Sequence, residues 1–464
     1  NMSGPAQERS LIMTMTQEQR FNQMMNERIE TLIPKLALPS IVSMLITAIY
    51  NMADTFFVSQ ISTSASGAVG IIFSMTAAIQ AMAFTIGMGS GNMISRLLGQ
   101  KKKEDAARYA AVGFFTELIV GVVIAALGLT HNHALVRLLG ATETIAPYAE
   151  DYARFILYGT PFFMCSLGMN NMLRFQGNSF YSMIGIGTGG VLNMILDPIL
   201  IFGFGMGISG AAIATAFSQF VSFCILLAQC NRMPVCISIR VRNFRPTPKM
   251  YGNIFFIGFP SLARQGIMSV STIILNHTAA PFGDAAIAAM AIVTRISVFM
   301  NSAVIGFGQG FQPVCGFNYG AKQYKRVERA YYFSLKVTFC FLLAMAAIVF
   351  VFAEPVVTVF RREDAEVIRI GTLALRLQCL TMPLAAQITM ANMFSQTVGY
   401  GIRATVVASL KFGICLIPAL GVLPPLFGIL GIQMAQPAAD IAAAVIAFLI
   451  TRGILNDLKE KAEY

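Results

Sequence analysis

The sequence predicts an all-α integral membrane protein with twelve transmembrane helices in two pseudo-symmetric six-helix bundles. Three observations predict it. Of 464 residues, 56% are apolar and only 12% are charged, far less charge than a soluble domain of this length carries. Apolar runs of about 20 residues recur along the whole chain, and each can cross a bilayer as a helix that satisfies its own backbone. Short signatures of the first half return in the second at one offset.

The spans are read at 30–57, 66–94, 106–129, 147–170, 180–204 and 208–229, then at 252–276, 285–313, 327–352, 367–391, 403–423 and 429–452. Residues 1–28 form a polar N-terminal extension, 29–229 an N-lobe and 252–453 a C-lobe. Between the lobes, 230–251 is a hinge-like linker carrying Pro234, Pro246 and Pro248, and 454–464 is a C-terminal tail. The first 23 residues lack the pattern of a signal peptide, and Asn1 ahead of Met2 is left out of the fold reasoning. With no tryptophan in the chain, tyrosine is expected to supply most interfacial anchoring.

The duplication rests on four correspondences. Leu38-Pro39-Ser40 returns as Phe259-Pro260-Ser261; Gly87, Gly89 and Gly91 as Gly306, Gly308 and Gly310; Gly99 as Gly320; Gly207 and Gly210 as Gly428 and Gly431. The offset stays near 220 residues throughout. An even number of spans returns each half to its starting side, so the halves are expected to be parallel repeats about an axis along the membrane normal. Substrate sites in such folds lie between the repeats near the midplane.

The net charge of +11 invites a nucleic-acid reading, but its placement argues against one. Arg96, Lys101, Lys102, Lys103 and Arg108 fall in one short loop region. Arg232, Arg240, Arg242, Arg245 and Lys249 fall in a second, and Lys322, Lys325, Arg326 and Arg329 in a third. The alternate loops carry only Arg137, Arg361 and Arg362. This is the positive-inside pattern, which places the basic loops and both termini in the cytoplasm, where they also suit anionic lipid headgroups.

Enzyme chemistry finds no support. The eight cysteines lie mostly inside apolar spans without paired loop spacing, which reads as packing rather than disulfides or metal ligation. His131, His133 and His277 form no HExxH or His/Cys cluster, and no phosphate-binding loop pattern is present. No cofactor is expected.

Ionisable groups inside the membrane are costly and mark working parts. In the first half these are Asp54, Glu117 and Asp197. Asn193 and Asp197 are four apart and share a helical face, and Pro198 deprives the carbonyl of residue 194 of its donor. A carboxylate, an amide oxygen and a freed carbonyl suit a hard cation or a proton. Thr215 follows a short turn and adds a hydroxyl, and Asp54 lies at a similar depth. The plainer alternative makes Asp54 a helix cap, Asp197 a structural hydrogen-bonding group and Glu117 a packing residue. The repeat offset carries Asp54, Asn193, Asp197 and Thr215 to about Leu275, Ile414, Pro418 and Gln436, so no carboxylate is duplicated. The second half instead holds Arg264, Arg295, Lys336 and Arg376, with Asp440 in the last span. Lys336 and Lys411 are expected to snorkel, and Arg264 and Asp440 to pair. Met44, Met52, Phe56 and Met268 stand out among many methionines and phenylalanines as candidates for an adaptable apolar surface.

Several stretches resemble a known family. They are Asn51-Met52-Ala53-Asp54-Thr55, Ile94-Ser95-Arg96-Leu97-Leu98-Gly99 and Arg174-Phe175-Gln176-Gly177-Asn178. Leu192-Asn193-Met194-Ile195-Leu196-Asp197-Pro198-Ile199-Leu200-Ile201-Phe202-Gly203 and Gly207-Ile208-Ser209-Gly210-Ala211-Ala212-Ile213-Ala214-Thr215 complete the set. Together they resemble the multidrug and toxic compound extrusion (MATE) family, in its bacterial MepA-like/DinF-like branch, from about residue 28 onward. The resemblance implies two six-helix lobes around a V-shaped cleft that alternates between outward- and inward-open states, exchanging amphiphilic drugs for Na⁺ or H⁺. It implies that Asp54, Asn193, Asp197 and Thr215 form a coupling-cation site able to hold Na⁺, and that the first helix bends at Pro39. Tyr50, Met44, Met268, Arg264 and Arg295 are the expected substrate cleft.

Two departures from the family pattern matter. The region around Met268 lacks the seventh-helix carboxylate of some members, and the interior of the second half is basic. Zwitterionic or anionic amphiphiles, including a lipid-linked or anionic metabolite, therefore stand as an alternative cargo. The protein is expected to be a monomer in a bacterial cytoplasmic (inner) membrane, with small amphiphilic molecules and membrane lipids as partners and no nucleic acid. Na⁺ and H⁺ coupling both remain open, because two carboxylates with an amide serve either.

Overall fold

A computed structural model describes residues 16–360 and 364–463; Arg361 and Arg362 lie outside the described residues. Every regular element among the described residues is a helix. The first half contains α1 (Gln17–Asn26), α2 (Ile29–Ser59), α3 (Thr63–Gly99), α4 (Lys103–Thr130), the short α5 (Asn132–Leu138), α6 (Ala146–Phe175), α7 (Ser179–Pro198) and α8 (Gly207–Arg232). The second half contains α9 (Pro248–Ala279), α10 (Asp284–Gly320), α11 (Tyr324–Val351), the short α12 (Ala353–Phe360), α13 (Ala365–Thr381) and α14 (Leu384–Val398). It ends with α15 (Gly401–Ser409), α16 (Leu416–Phe427) and α17 (Ile429–Glu463).

Nine continuous helical segments among the described residues are long and apolar enough to cross a membrane, and the bent pair α13–α14 supplies a tenth. Helices α6 and α9, of 30 and 32 residues, are long enough but lack an equally apolar central stretch. With these two, the count reaches the twelve expected. The tenth span was expected as one rod over 367–391. It breaks instead, by 56°, because Pro383 has no N–H to continue the ladder and its ring clashes with the preceding turn. Several helices outrun their apolar windows. Thus α3 continues through buried Asn92 and Ser95 to Gly99, and α17 runs through most of the expected tail.

The fifth span of each half carries a π-helical segment, Ile199–Gly203 after Pro198 and Leu410–Cys415 between α15 and α16. The wider turn changes which side chains face inward, and such segments are frequent at functional sites. The repeat is visible in backbone detail as well. Lys101 and Lys322 are the two non-glycine residues with positive φ among the described residues, both at 61°, each just beyond the glycine that ends a long helix. That conformation is uncommon outside glycine, so its recurrence reflects one loop geometry used twice.

The chain divides into two compact units. Among the described residues, the first comprises 16–28, 38–258 and 316–321; the second comprises 29–37, 259–315, 322–360 and 364–463. Thus α2 changes unit just before Pro39, and α9 just before Pro260. The first unit packs α3, α4, α6 and α8 around Ile72, Met164, Leu173 and Leu226, all completely buried. The second packs α10, α11, α13 and α17 around Leu342, Leu375 and Val357, equally buried.

The polar N-terminal stretch, read from sequence only as an extension, forms α1. Thr16 and Gln19 cap it reciprocally, the Thr16 hydroxyl accepting from the Gln19 amide and the Gln19 side chain from the Thr16 amide. Inside the first unit, Gln17 Nε2 donates to the Cys236 carbonyl at 3.0 Å, and Asn318 Nδ2 donates to the Met24 carbonyl at 3.2 Å. Burial lowers the Arg20 guanidinium from its ordinary value, opposed by the neighbouring Cys236, Tyr181 and Glu27. Burial also pushes the Cys236 thiol up to about 12, which leaves it unreactive. The Arg174–Asn178 signature holds this same corner: Gln176 Oε1 accepts the Ile237 amide at 2.8 Å, and Asn178 Nδ2 donates to Cys236 Sγ at 3.4 Å.

Candidate cation-binding site

The four acidic and polar residues singled out in the first half come from α2, α7 and α8, and the structure brings them together. Asn193 and Asp197, one turn apart on α7, are 3% and 0% exposed. Asn193 Nδ2 donates to Asp197 Oδ1 at 3.2 Å and to Thr215 Oγ1 on α8 at 3.2 Å. An amide nitrogen has two protons, and both are engaged, so Asn193 is left to present its oxygen. Asp54 lies within electrostatic range of Asp197, and Tyr50, one turn earlier on α2, lies within range of Asp54.

Sequence reasoning missed a fifth member. Tyr152 of α6 is 6% exposed, lies beside Thr215 and is within electrostatic range of Asp54, Asp197 and Tyr50. Its only sequence signal is a tyrosine in the unusually polar run Glu150-Asp151-Tyr152, which falls in no recognised motif.

The unsatisfied atoms define what the cluster can do. Asp54 Oδ1, Asp197 Oδ2 and Asn193 Oδ1 are buried oxygens without a hydrogen-bond donor. Buried acceptors left in this way cost about 1–3 kcal/mol each. An all-oxygen set with two carboxylates and no basic side chain suits a hard cation or a proton and offers nothing to a soft metal. Among the described residues no group of three or more His, Cys, Asp or Glu side chains gathers anywhere.

Each neutral ligand can be tested alone. Asn193→Ala and Thr215→Ala remove one oxygen apiece without changing charge. At about 1–1.5 kcal/mol per lost contact, each is expected to weaken the half-saturating coupling-ion concentration roughly tenfold while leaving the folded yield intact. An unchanged ion dependence in both variants would exclude these side chains from the shell.

Glu117 lies in a separate cluster. It is 0% exposed, neither carboxylate oxygen has a hydrogen-bond partner, and Gly87 and Gly168 make room for it. Beside it, Asn171 Oδ1 accepts from Arg174 at 2.7 Å.

The second half corrects the sequence reading. Asp440 does not pair with Arg264: its Oδ1 lies 3.3 Å from Lys411 Nζ. Lys411 therefore does not snorkel; its side chain is 14% exposed, turned inward from the π-helical segment 410–415. Arg264 is half-buried, Arg295 and Met268 are exposed, and Met44 and Tyr50 are half-buried. Pro39 lies within the unbroken helix α2.

The comparisons with known proteins agree with this architecture. The MatE family profile matches the chain twice, over residues 39–199 and 260–420, one copy per half. A relative named Multidrug export protein MepA, from Staphylococcus haemolyticus, is 27% identical over 91% of this chain and 93% of its own length. The MepA of Staphylococcus aureus strain MRSA252 is 26% identical over 92% and 95%. A crystal structure of MATE in complex with MaL6 superposes with a TM-score of 0.90 at 26% identity, covering 94% of this chain and 99% of that one. A MOP superfamily transporter from Pyrococcus furiosus, described as having a reverse polarity of its binding pocket that suggests a different function, gives 0.88 at 27% identity over 94% and 98%. With the profile spanning most of both halves, the chain belongs to the MATE family of membrane transporters.

Proposed function

We propose that the protein is a secondary multidrug exporter that expels amphiphilic organic compounds in exchange for Na⁺ or H⁺ by alternating access. Membership of a transporter family with MepA exporters among its relatives supports the reaction class. One observation supports the coupling site: three buried oxygens from Asp54, Asn193 and Asp197 lack any donor. In this reading Asp54 and Asp197 carry the charge that attracts the ion. Asn193 and Thr215 fix the shell, with Tyr152 packed beside Thr215. Ion binding shifts the population between lobe arrangements by its differential affinity for them, and substrate binds when the ion leaves. Tyr50, Met44, Met268, Arg264 and Arg295 are the proposed cleft residues. In this reading the protein is a monomer in a bacterial cytoplasmic membrane, with both termini on the basic, cytoplasmic side.

The test is dye efflux from proteoliposomes under an imposed Na⁺ gradient or an imposed pH gradient, each with the other held at zero. Export under one of them, lost on collapsing it, is the expected result. Export under neither would refute ion coupling.

The half-buried Arg264 favours a second reading, in which zwitterionic or anionic amphiphiles are the cargo. Competition by anionic against cationic amphiphiles for dye efflux separates the two. Under this reading Arg264→Ala/Arg295→Ala relieves anion competition at least severalfold.

A further inference from the structure

The second half contains a buried carboxylate whose surroundings invert those of Asp197. Asp440 on α17 is completely buried, yet both its oxygens are satisfied. Oδ1 faces Lys411 Nζ at 3.3 Å and accepts from Gln436 Nε2 at 3.0 Å; Oδ2 accepts from Gln378 Nε2 at 2.7 Å. These groups lie on the fifth and sixth spans of their half, with Gln378 on the fourth, as Asn193, Thr215 and Tyr152 do in the first. Gln436 is also the repeat position of Thr215. Beside them is a cavity of about 60 Å³ lined by Lys411, Gln436, Thr294, Ser297, Asn301 and Gln433, room for about two water-sized groups. Ser297 Oγ and Asn301 Oδ1 are buried there without a hydrogen-bond partner.

We infer that this cluster is a second monovalent-cation site whose cation is the tethered ammonium of Lys411. The geometry requires each part. A carboxylate that is ionised when buried is stabilised by a counter-charge, and Lys411 supplies one as a compact point charge delivered by the π-helical segment 410–415. Its neighbour is tied in place, since Ser271 Oγ donates to the Phe412 carbonyl. Because the cation is covalently attached, the second half consumes no coupling ion, and exchange stoichiometry is set by the first half alone. Removing the ammonium frees Asp440 Oδ1 next to the cavity, where the oxygens of Ser297 and Asn301 complete a shell for Na⁺ or Li⁺. The inference borrows the cation reading of the first half only as its contrast.

The test therefore uses an Asp54→Asn/Asp197→Asn parent, in which the first-half site is disabled. Unfolding midpoints of the full-length, detergent-solubilised protein are measured at pH 8.5 in NaCl and in choline chloride of equal ionic strength. The parent is expected to show no Na⁺-specific shift. Adding Lys411→Met is expected to create one, with Na⁺ raising the midpoint by several degrees through its binding to the folded state. Lys411→Arg, which keeps the charge, creates none, and Asp440→Asn added to Lys411→Met abolishes it. If Lys411→Met alone does not fold, recovery of folded protein in Na⁺ or by the added Asp440→Asn supports the inference. A Lys411→Met protein that shows neither a Na⁺ response nor either rescue overturns it, as does a response that survives Asp440→Asn. Failure of the first-half reading would appear elsewhere, as ion-dependent export persisting in the parent.

Discussion

Asp197→Asn is expected to abolish ion-coupled export while leaving the protein folded. The substitution keeps the shape, and an amide oxygen still accepts from Asn193 Nδ2, now at 3.2 Å to Asp197 Oδ1. What changes is charge. A cation about 4 Å from a carboxylate gains roughly 4 kcal/mol at an effective dielectric near 20, and losing that attraction weakens ion binding by about 10³-fold. The amide would also place an N–H where Asp197 now presents an unpartnered oxygen, repelling the ion it formerly held. Gradient-driven dye efflux should fall to the level of empty liposomes, with the unfolding midpoint within a few degrees of wild type. Asp54→Asn should act in the same direction but less completely, since Asp54 is half-buried whereas Asp197 is fully enclosed. Wild-type efflux in the Asp197 variant would remove this residue from the coupling mechanism.

The parts of the molecule legible in the sequence are those written in hydropathy and spacing. Asn193 and Asp197 one turn apart already share a face, and Thr215 follows after a short turn, so their convergence follows from helix geometry alone. The repeat was equally legible, since matched glycines and loop lysines mark positions where backbone geometry restricts the residue. Three features were not legible, each for a definite reason. Tyr152 enters the site through the packing of α6 on α8, which one-dimensional spacing does not encode. The inward turn of Lys411 accompanies a π-helical segment, and a reading based on a uniform 3.6-residue period assigns its face wrongly. The break at Pro383 was missed because flanking apolar runs masked it, although proline itself was the signal. The two halves thus share a backbone plan but solve the buried-carboxylate problem differently, one with open oxygen ligands and the other with an internal ammonium.

Gly99 and Gly320 are expected to tolerate no side chain at all, even a methyl group. Each ends a long helix, α3 or α10, and each meets the backbone of the other's helix. A Cβ on Gly99 would collide with the Phe317 carbonyl, and a Cβ on Gly320 would collide with the Arg96 carbonyl. Both contacts fall inside the first unit, and Arg96 and Phe317 hold equivalent positions in the repeat. Nothing at the crossing can rotate aside, because the obstructing atoms are main chain rather than the far end of a flexible side chain. Gly99→Ala or Gly320→Ala must therefore push two helices apart, at a cost of about 3 kcal/mol or more. That corresponds to a midpoint lower by roughly 6–12 °C, taking about 2–4 °C per kcal/mol. The matched control is Gly70→Ala on α3, where a Cβ would meet nothing within 4 Å; it should be neutral or slightly stabilising, since alanine favours helix over glycine. Because one displacement relieves both collisions, the double variant should cost clearly less than the two singles together, the non-additivity expected of sites that share a contact. Additive losses would mean that the two glycines guard separate contacts, and a Gly99→Ala midpoint equal to that of Gly70→Ala would mean that the crossing has room the backbone geometry denies.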